Sequence, residues 1–304
     1  MKRQLIVDFS SLYYKYFFCL QKADKGITYM PRLSYMIDGV ETDTTYQYYI
    51  TKDIEQYRRM CGDDTTVSIC FDSKTNRKED DATYKSNRGG KLDTQDFKNM
   101  ENLMQMYKDM GYNVYKVEGM EADDLIHTIV QKTKDKYQET YILSPDKDLL
   151  VNVSDNVFVI RTSTTKQGFK VITPKTYESE LSTSFKCRVP FNSIMLYLSM
   201  VGDKVDCIDG IKGFGPKAFD KLIEAMDSNY YPFSKLDKYE NVEEVLNKYE
   251  AIYDPKCKGY MEQALKSLEL VKYRDADFEI LGKHDTEETR NRVYEKYGMK
   301  SLMK

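Results

Sequence analysis

Three short apolar runs each close on an aspartate: LIVD on Asp8, VSICFD on Asp72 and YILSPD on Asp146. Each is rich in β-branched or aromatic residues and gives way to polar ones, the pattern of a strand buried on both faces. Helical patterns lie between them, from Tyr46 to Cys61, from Phe97 to Met110 and onward from Glu121. Strand and helix alternating over about 160 residues predict an α/β fold with a mainly parallel central sheet flanked by helices. Ligands of such sheets bind beyond the carboxyl ends of the strands, so this topology gathers acids that lie far apart in sequence.

A further strand-like run, NVYKVEG at 113–119, leads into GMEADDLIHTIV and carries Glu121, Asp123 and Asp124 to the same edge. Behind them Leu125, Ile126, Ile129 and Val130 have the spacing of a helix with one buried face. Asp148, two residues beyond Asp146, adds another carboxylate. Singly, each acid reads more readily as a turn or cap residue. A helix N-terminus also offsets about 0.3–1 kcal/mol of repulsion per charge. Gathered together, with few basic residues and no histidine beside them, they repel one another as they lose hydration. Oxygen-seeking divalent ions, Mg²⁺ or Mn²⁺, resolve that conflict.

The 304 residues suffice for one large domain or two modest ones. A net charge of −3 argues weakly against a nucleic-acid partner, unless the acids are concentrated at one site. The six cysteines form no CxxC pair and only His127 and His284 accompany them, which argues against zinc and for reduced, core-packed thiols. No run approaches the roughly 18 apolar residues of a membrane span. The opening MKRQLIVDFSSLYYK is interrupted by Asp8 and Lys15 and does not read as a signal peptide. A soluble, cytoplasmic protein is expected. The abundant tyrosines, such as Tyr13, Tyr14, Tyr16, Tyr46, Tyr48 and Tyr49, read better as core packing than as a stacking surface, and His127 as a satisfied helix histidine.

Downstream, an apolar helix at about Ser193–Val201 precedes Asp203, Asp206 and Asp209, and a second helix at about Ala218–Ala225 follows Gly213–Phe214–Gly215. Amides at that turn and at the next helix N-terminus can face a phosphate, with Lys212, Lys217 and Lys221 beside them. A plain packing corner accounts for the same residues. The glycines sit between helices, not after a strand, which disfavours a Rossmann site. Beyond residue 225, VEEVLNKYEAIY and YMEQALKSLELVKY are helical and are expected to pack on this hairpin.

Taken in order, VDFS, FDSK, YKSNR, EADD, SPDKD and VGDKVDCIDGIKGFGPK, spread over residues 3–225, resemble the 5′-nuclease family. That family comprises flap endonucleases, the 5′-exonuclease domain of bacterial DNA polymerase I and small free-standing phage enzymes. The resemblance implies a metal-dependent nuclease core at 1–190, with an arch or clamp at 73–100. It also implies a helical duplex-DNA-binding region at 191–304 with a helix-hairpin-helix motif at about 203–223. One metal ion is implied at Asp8, Asp72 and Glu121, with Asp123 and Asp124 directly or through water. A second is implied at Asp146, Asp148 and Asp203, with Asp206 nearby. Two such ions hydrolyse phosphodiesters without a side-chain nucleophile. Lys85 and Arg88 are implied at the scissile phosphate, Tyr84 stacked on a base, Lys91 along the strand, and K⁺ at the hairpin turn with Gly213 and Gly215.

The implied substrates are DNA 5′ flaps, nicks, single-stranded 5′ ends or RNA primers. The implied protein is a monomer that works away from membranes, in the bacterial host if phage-encoded. One departure is that Asp206–Cys207–Ile208–Asp209–Gly210 stands where relatives commonly read DN.PG, adding charge beside the phosphate grip. Two other readings share the strand-end acids. A PIN-type ribonuclease is usually shorter and lacks the GD..D hairpin, and a catalytically silent branched-DNA-binding protein would have lost metal ligands.

Overall fold

The chain begins with β1 (Arg3–Asp8) and α1 (Phe9–Asp24), then an exposed hairpin of β2 (Ser34–Ile37) and β3 (Val40–Asp43). Next come α2 (Thr45–Cys61), β4 (Thr65–Cys70), the short α3 (Arg77–Asp80), α4 (Thr94–Asp109), β5 (Asn113–Tyr115) and α5 (Ala122–Thr133). They are followed by β6 (Glu139–Leu143), β7 (Val157–Thr162), β8 (Phe169–Ile172) and α6 (Pro174–Phe185). The remaining elements are α7 (Ile194–Val201), the two-residue strands β9 (Gly202–Asp203) and β10 (Ile208–Asp209), α8 (Pro216–Ser228), α9 (Tyr239–Ile252), α10 (Met261–Val271) and α11 (Glu287–Lys296). This is a computed structural model describing residues 2–86, 92–162, 168–229, 232–252 and 261–303.

The main sheet has six strands in the order β5-β4-β1-β6-β7-β8, parallel throughout except for β8, which pairs antiparallel with β7. Asp8 pairs with Cys70, and Val7 with Leu143. Strand ends β4, β1 and β6 are therefore adjacent, and Asp72, Asp8 and Asp146 leave the sheet side by side. The apolar runs do form these strands. The exception is 113–119, where only Asn113–Tyr115 pair and the rest turns toward Glu121.

Period-two alternation sorts the strands between two layers. Leu5, Val7, Val67 and Ile69 face a cluster that includes Leu12, Ile54, Leu103 and Tyr294, from α1, α2, α4 and α11. Ile6, Cys70 and Ile142 face a cluster running through Leu125, Leu196, Phe219, Leu246 and Leu268, from α5, α7, α8, α9 and α10. Each fully buried aliphatic side chain contributes about 1.5–3 kcal/mol. Tyr13 and Tyr16 are core residues, and Cys61, Cys70 and Cys187 are buried free thiols, while Cys257 lies outside the described residues.

The end of the chain returns across the expected division at residue 190. After α10, residues 272–286 run back along the sheet layer: the Arg274 N–H donates to Asp124 (2.8 Å), Ala276 to Thr128 (3.1 Å) and Leu281 to the Tyr115 hydroxyl (3.0 Å). α11 then docks beside α4, where Thr289 bonds the Met110 carbonyl. An extended segment has no helical period, so its pattern carries no sign of where it returns.

Candidate active site

Asp8 is the N-cap of α1. It accepts the Ser11 N–H (3.1 Å), the Ser11 hydroxyl (2.5 Å) and, from the residue after β6, the Ser144 hydroxyl (2.7 Å). Burial and the neighbouring Asp72 still push its carboxyl up to about 6. Asp72 accepts the Ala122 N–H at the first turn of α5 (2.7 Å). Asp123, one residue on, accepts no hydrogen bond from a described residue. Burial, then Asp146 and Asp8, push it well above the carboxylate range. Asp146 accepts the Asp148 N–H (3.0 Å), and Asp148 is pushed up to about 7 by burial and by Asp146. Its Oδ1 is buried without a hydrogen bond. Asp203 caps the following turn through the Val205 N–H, and Asp203 and Asp206 both act electrostatically on Asp148.

Asp203 and Asp206 reach this edge because α7 ends in a tight crossing of backbones. A Cβ at Gly202 would lie 2.5 Å from the Gly210 nitrogen and the Ile208 oxygen, and one at Gly210 would run into the Val201 carbonyl. Only glycine permits this approach. The ribbon β9–β10 thus fills the turn between α7 and α8.

The expectation of few basic neighbours fails. Lys147, between Asp146 and Asp148, places its ammonium 2.7 Å from Asp203 Oδ2 and 3.2 Å from Asp148 Oδ1. Lys85 sits 2.7 Å from Glu121 Oε1 and 3.7 Å from Asp206 Oδ2. Burial disfavours both ammoniums, but Glu121 around Lys85, and Asp148 and Asp203 around Lys147, hold them charged to well above the usual lysine range. Arg77, almost fully buried, binds Asp124 with both Nη atoms (2.6 and 2.8 Å) and Glu121 with one (2.5 Å). Burial raises Glu121, yet Lys85 and Arg77 bring it below its ordinary value. Sequence reading misses Arg77 and Lys147. The only signal is a basic residue set between two acids in SPDKD.

Two assignments are corrected. Asp124 does not face the acidic edge: it is fully buried, and both its oxygens are taken by Arg77, the Arg274 N–H and the Glu121 N–H. Its place in the EADD run reflects a capping box with Glu121. Tyr84 offers no stacking face. It is 3 % exposed, packs with Ile208 and Leu270, and donates to Glu121 (3.0 Å). The resemblance implies an arch at 73–100, and its described part up to Ser86 folds onto the acids through Arg77, Tyr84 and Lys85. Arg88 and Lys91 lie outside the described residues.

Among the described residues, no three of these carboxylates already form a metal cage. The residues nonetheless fit divalent ions. The donors are oxygens, Asp148 keeps a buried oxygen without a hydrogen bond, and Asp123 faces like charges. A cavity of about 20 Å³ between Asp123, Asp148, Asp206, Glu121, Tyr84 and Tyr273 has room for one or two small ions or waters.

At the α7–α8 corner, Lys212, Lys217 and Lys221 are exposed. Gly213 has φ +81°, and neither it nor Gly215 has a neighbour within 4 Å of a Cβ position, so there is open space beside this turn. Gly215 is the N-cap of α8, with Pro216 at its first turn. His127 is satisfied by Asn152 (2.7 Å) and stacked on Tyr273.

A mainly parallel α/β sheet that gathers carboxylates at one edge is a framework that can hold divalent ions beyond its strand ends. Residues 3–182 match the family model of the 5′-3′ exonuclease N-terminal resolvase-like domain. The chain belongs to this 5′-3′ exonuclease family of nucleases. It is 30% identical to the 5′-3′ exonuclease of Aquifex aeolicus over all of this chain and 95% of that protein. It is 29% identical to the thermostable DNA polymerase I of Thermus thermophilus over 90% of this chain, spanning only 29% of the polymerase. Among solved structures, the zinc-bound T5 5′-exonuclease superposes with a TM-score of 0.61 at 15% identity, over 97% of this chain and 92% of that one. Human GEN1 in complex with Holliday junction DNA gives 0.56 at 12%, over 97% of this chain and 68% of that one. These two likenesses establish a shared fold.

Proposed function

We propose that this chain is a structure-directed 5′ nuclease, hydrolysing phosphodiesters at 5′ flaps, nicks, 5′ ends or RNA primers with two Mg²⁺ or Mn²⁺ ions. The observation that carries the reading is the pair Asp123 and Asp148. One carboxylate sits unbonded among Asp8, Asp72 and Asp146, and the other keeps a buried oxygen that makes no hydrogen bond and has only the Lys147 ammonium 3.2 Å away. Charges left in that state are costly unless a cation completes them.

Asp8, Asp72 and Asp123, with Glu121 once Lys85 lets go of it, would hold one ion. Asp146, Asp148, Asp203 and Asp206 would hold the other. Bound ions of this kind activate water and stabilise a leaving phosphodiester oxygen. The protein's own groups do the rest. Ser11 and Ser144 fix Asp8, while the Ala122 N–H fixes Asp72. Lys85, pinned through its N–H to the Asp206 carbonyl (2.9 Å), is held where its ammonium can turn from Glu121 to the scissile phosphate. Arg88 and Lys91 belong to the same proposal. The amides at Gly213 and Gly215, with Lys212, Lys217 and Lys221, would grip the duplex backbone without reading bases, with K⁺ at the turn. Support for DNA as substrate comes from a relative of the same fold, the T5 flap endonuclease, solved with DNA and metal ions.

The test is cleavage of a 5′-labelled flap duplex with Mg²⁺, with and without EDTA. Cleavage indifferent to the chelator would sink the metal mechanism. Asp148→Asn and Asp203→Asn should lower turnover far more than DNA affinity. Equal losses would reduce those acids to fold support.

A further inference from the structure

We infer that Lys147 is a built-in counter-cation: its ammonium stands between Asp148 and Asp203 in place of a divalent ion and is expelled when that ion binds. The inference rests on the metal-dependent reading above. Three observations carry it. The ammonium lies 2.7 Å from Asp203 Oδ2 and 3.2 Å from Asp148 Oδ1, with 23% of the side chain exposed. It therefore sits on two of the acids assigned to the second ion. Asp148 Oδ1 nevertheless remains without a hydrogen bond. The ammonium balances its charge without completing its coordination. Finally, Nζ lies 5.6 Å from the Phe185 ring centroid, a cation–π contact that holds the charge beside the acids without adding a carboxylate ligand.

The physical argument is competition. An ammonium brings one charge and three hydrogens, whereas a divalent ion brings two charges and bonds carboxylate oxygens directly. The lysine stem is flexible, and Lys147 sits in the loop after β6, so exchange moves a side chain and leaves the sheet in place. Without metal, Lys147 keeps Asp148 and Asp203 from repelling each other. With metal, it becomes a free surface cation. The cost of expelling it weakens the site's apparent affinity for the ion and makes occupancy depend on ion concentration.

Isothermal titration of the full chain with Mn²⁺, without DNA, tests this in wild type and Lys147→Met. The variant is expected to bind the ion about tenfold more tightly, as removal of a competing unit charge at close range requires. Its melting temperature should also be lower without metal and rise further on Mn²⁺ addition. Where the variant does not fold, reductive methylation of the wild-type protein with peptide mass spectrometry decides: Lys147 should be slow to react without Mg²⁺ and faster with it. Unchanged affinity in the variant, or unchanged methylation of Lys147, overturns the inference while leaving the metal reading intact. No Mn²⁺ uptake by either protein overturns the metal reading and the inference with it.

Discussion

The Arg77 guanidinium closes on Asp124 with both of its Nη atoms, at 2.6 and 2.8 Å, in a site where neither residue has contact with solvent to speak of. Through Nη2 it also donates to the Lys272 carbonyl (2.8 Å), and through Nη1 to Glu121. One side chain thereby joins the segment after β4, the N-terminus of α5 and the returning C-terminal strap. This is a structural bond placed beside a chemical site, and the EADD run serves both.

Removing one partner of that pair leaves the other charge buried and alone. Arg77→Met is expected to lower stability by about 3–5 kcal/mol, the usual cost of breaking a buried ion pair on one side. Urea unfolding measures it. A loss under about 1 kcal/mol would mean the pair is open to water in solution.

Asp123→Asn should act in the opposite sense on metal-free protein. It removes a carboxylate that faces Asp146, Asp8 and Asp72, so the urea midpoint in EDTA should rise. In Mg²⁺ the same variant should lose most of its turnover. A variant less stable than wild type in EDTA would show that Asp123 is satisfied in a way its surroundings do not indicate.

The crossing of α7 into β10 predicts a contrast between glycines. Gly210→Ala drives a methyl into the Val201 carbonyl and to 2.7 Å from the Gly202 nitrogen, and should cost about 1–3 kcal/mol. Gly215→Ala meets open space at φ −113° and should be close to neutral for stability. Thermal melts of the two variants should therefore differ by several degrees, and equal melts would refute the tight crossing.

Stability without metal should depend on pH through Asp8, raised to about 6, and Asp148, raised to about 7. Both ordinarily titrate near 3.8, so between that value and neutrality the folded chain binds more protons than the unfolded one. Stability from these groups is thus full below about pH 4 and is lost as pH rises through 6 to 7. Each tenfold difference in proton affinity between the folded and unfolded chain corresponds to about 1.4 kcal/mol. Denaturation in EDTA should show a higher midpoint at pH 5 than at pH 8. Saturating Mg²⁺ should flatten that difference, because bound ions favour the ionised acids.

Much of this arrangement is legible in the chain. Asp8, Asp72 and Asp146 end up adjacent because buried parallel strands announce themselves as short apolar runs, and strand ends of such a sheet share an edge. Asp203 and Asp206 are legible only through the family's ordered motifs, since nothing local marks Gly202 and Gly210 as points of contact. Tyr84 escapes a correct reading because a tyrosine among lysines looks the same whether it faces water or the Glu121 carboxylate.

The residue order alone determined the α/β sheet and which acids collect at its carboxyl edge, because period-two burial and strand-end position are local properties. Tertiary structure alone decided the state of each acid. Glu121 and Asp124 are neutralised by Arg77 and Lys85, Asp203 by Lys147, and Asp123 is left exposed to its like. Ion pairs form between groups brought together from distant segments, and the short-range pattern of a sequence does not encode which cation reaches which carboxylate.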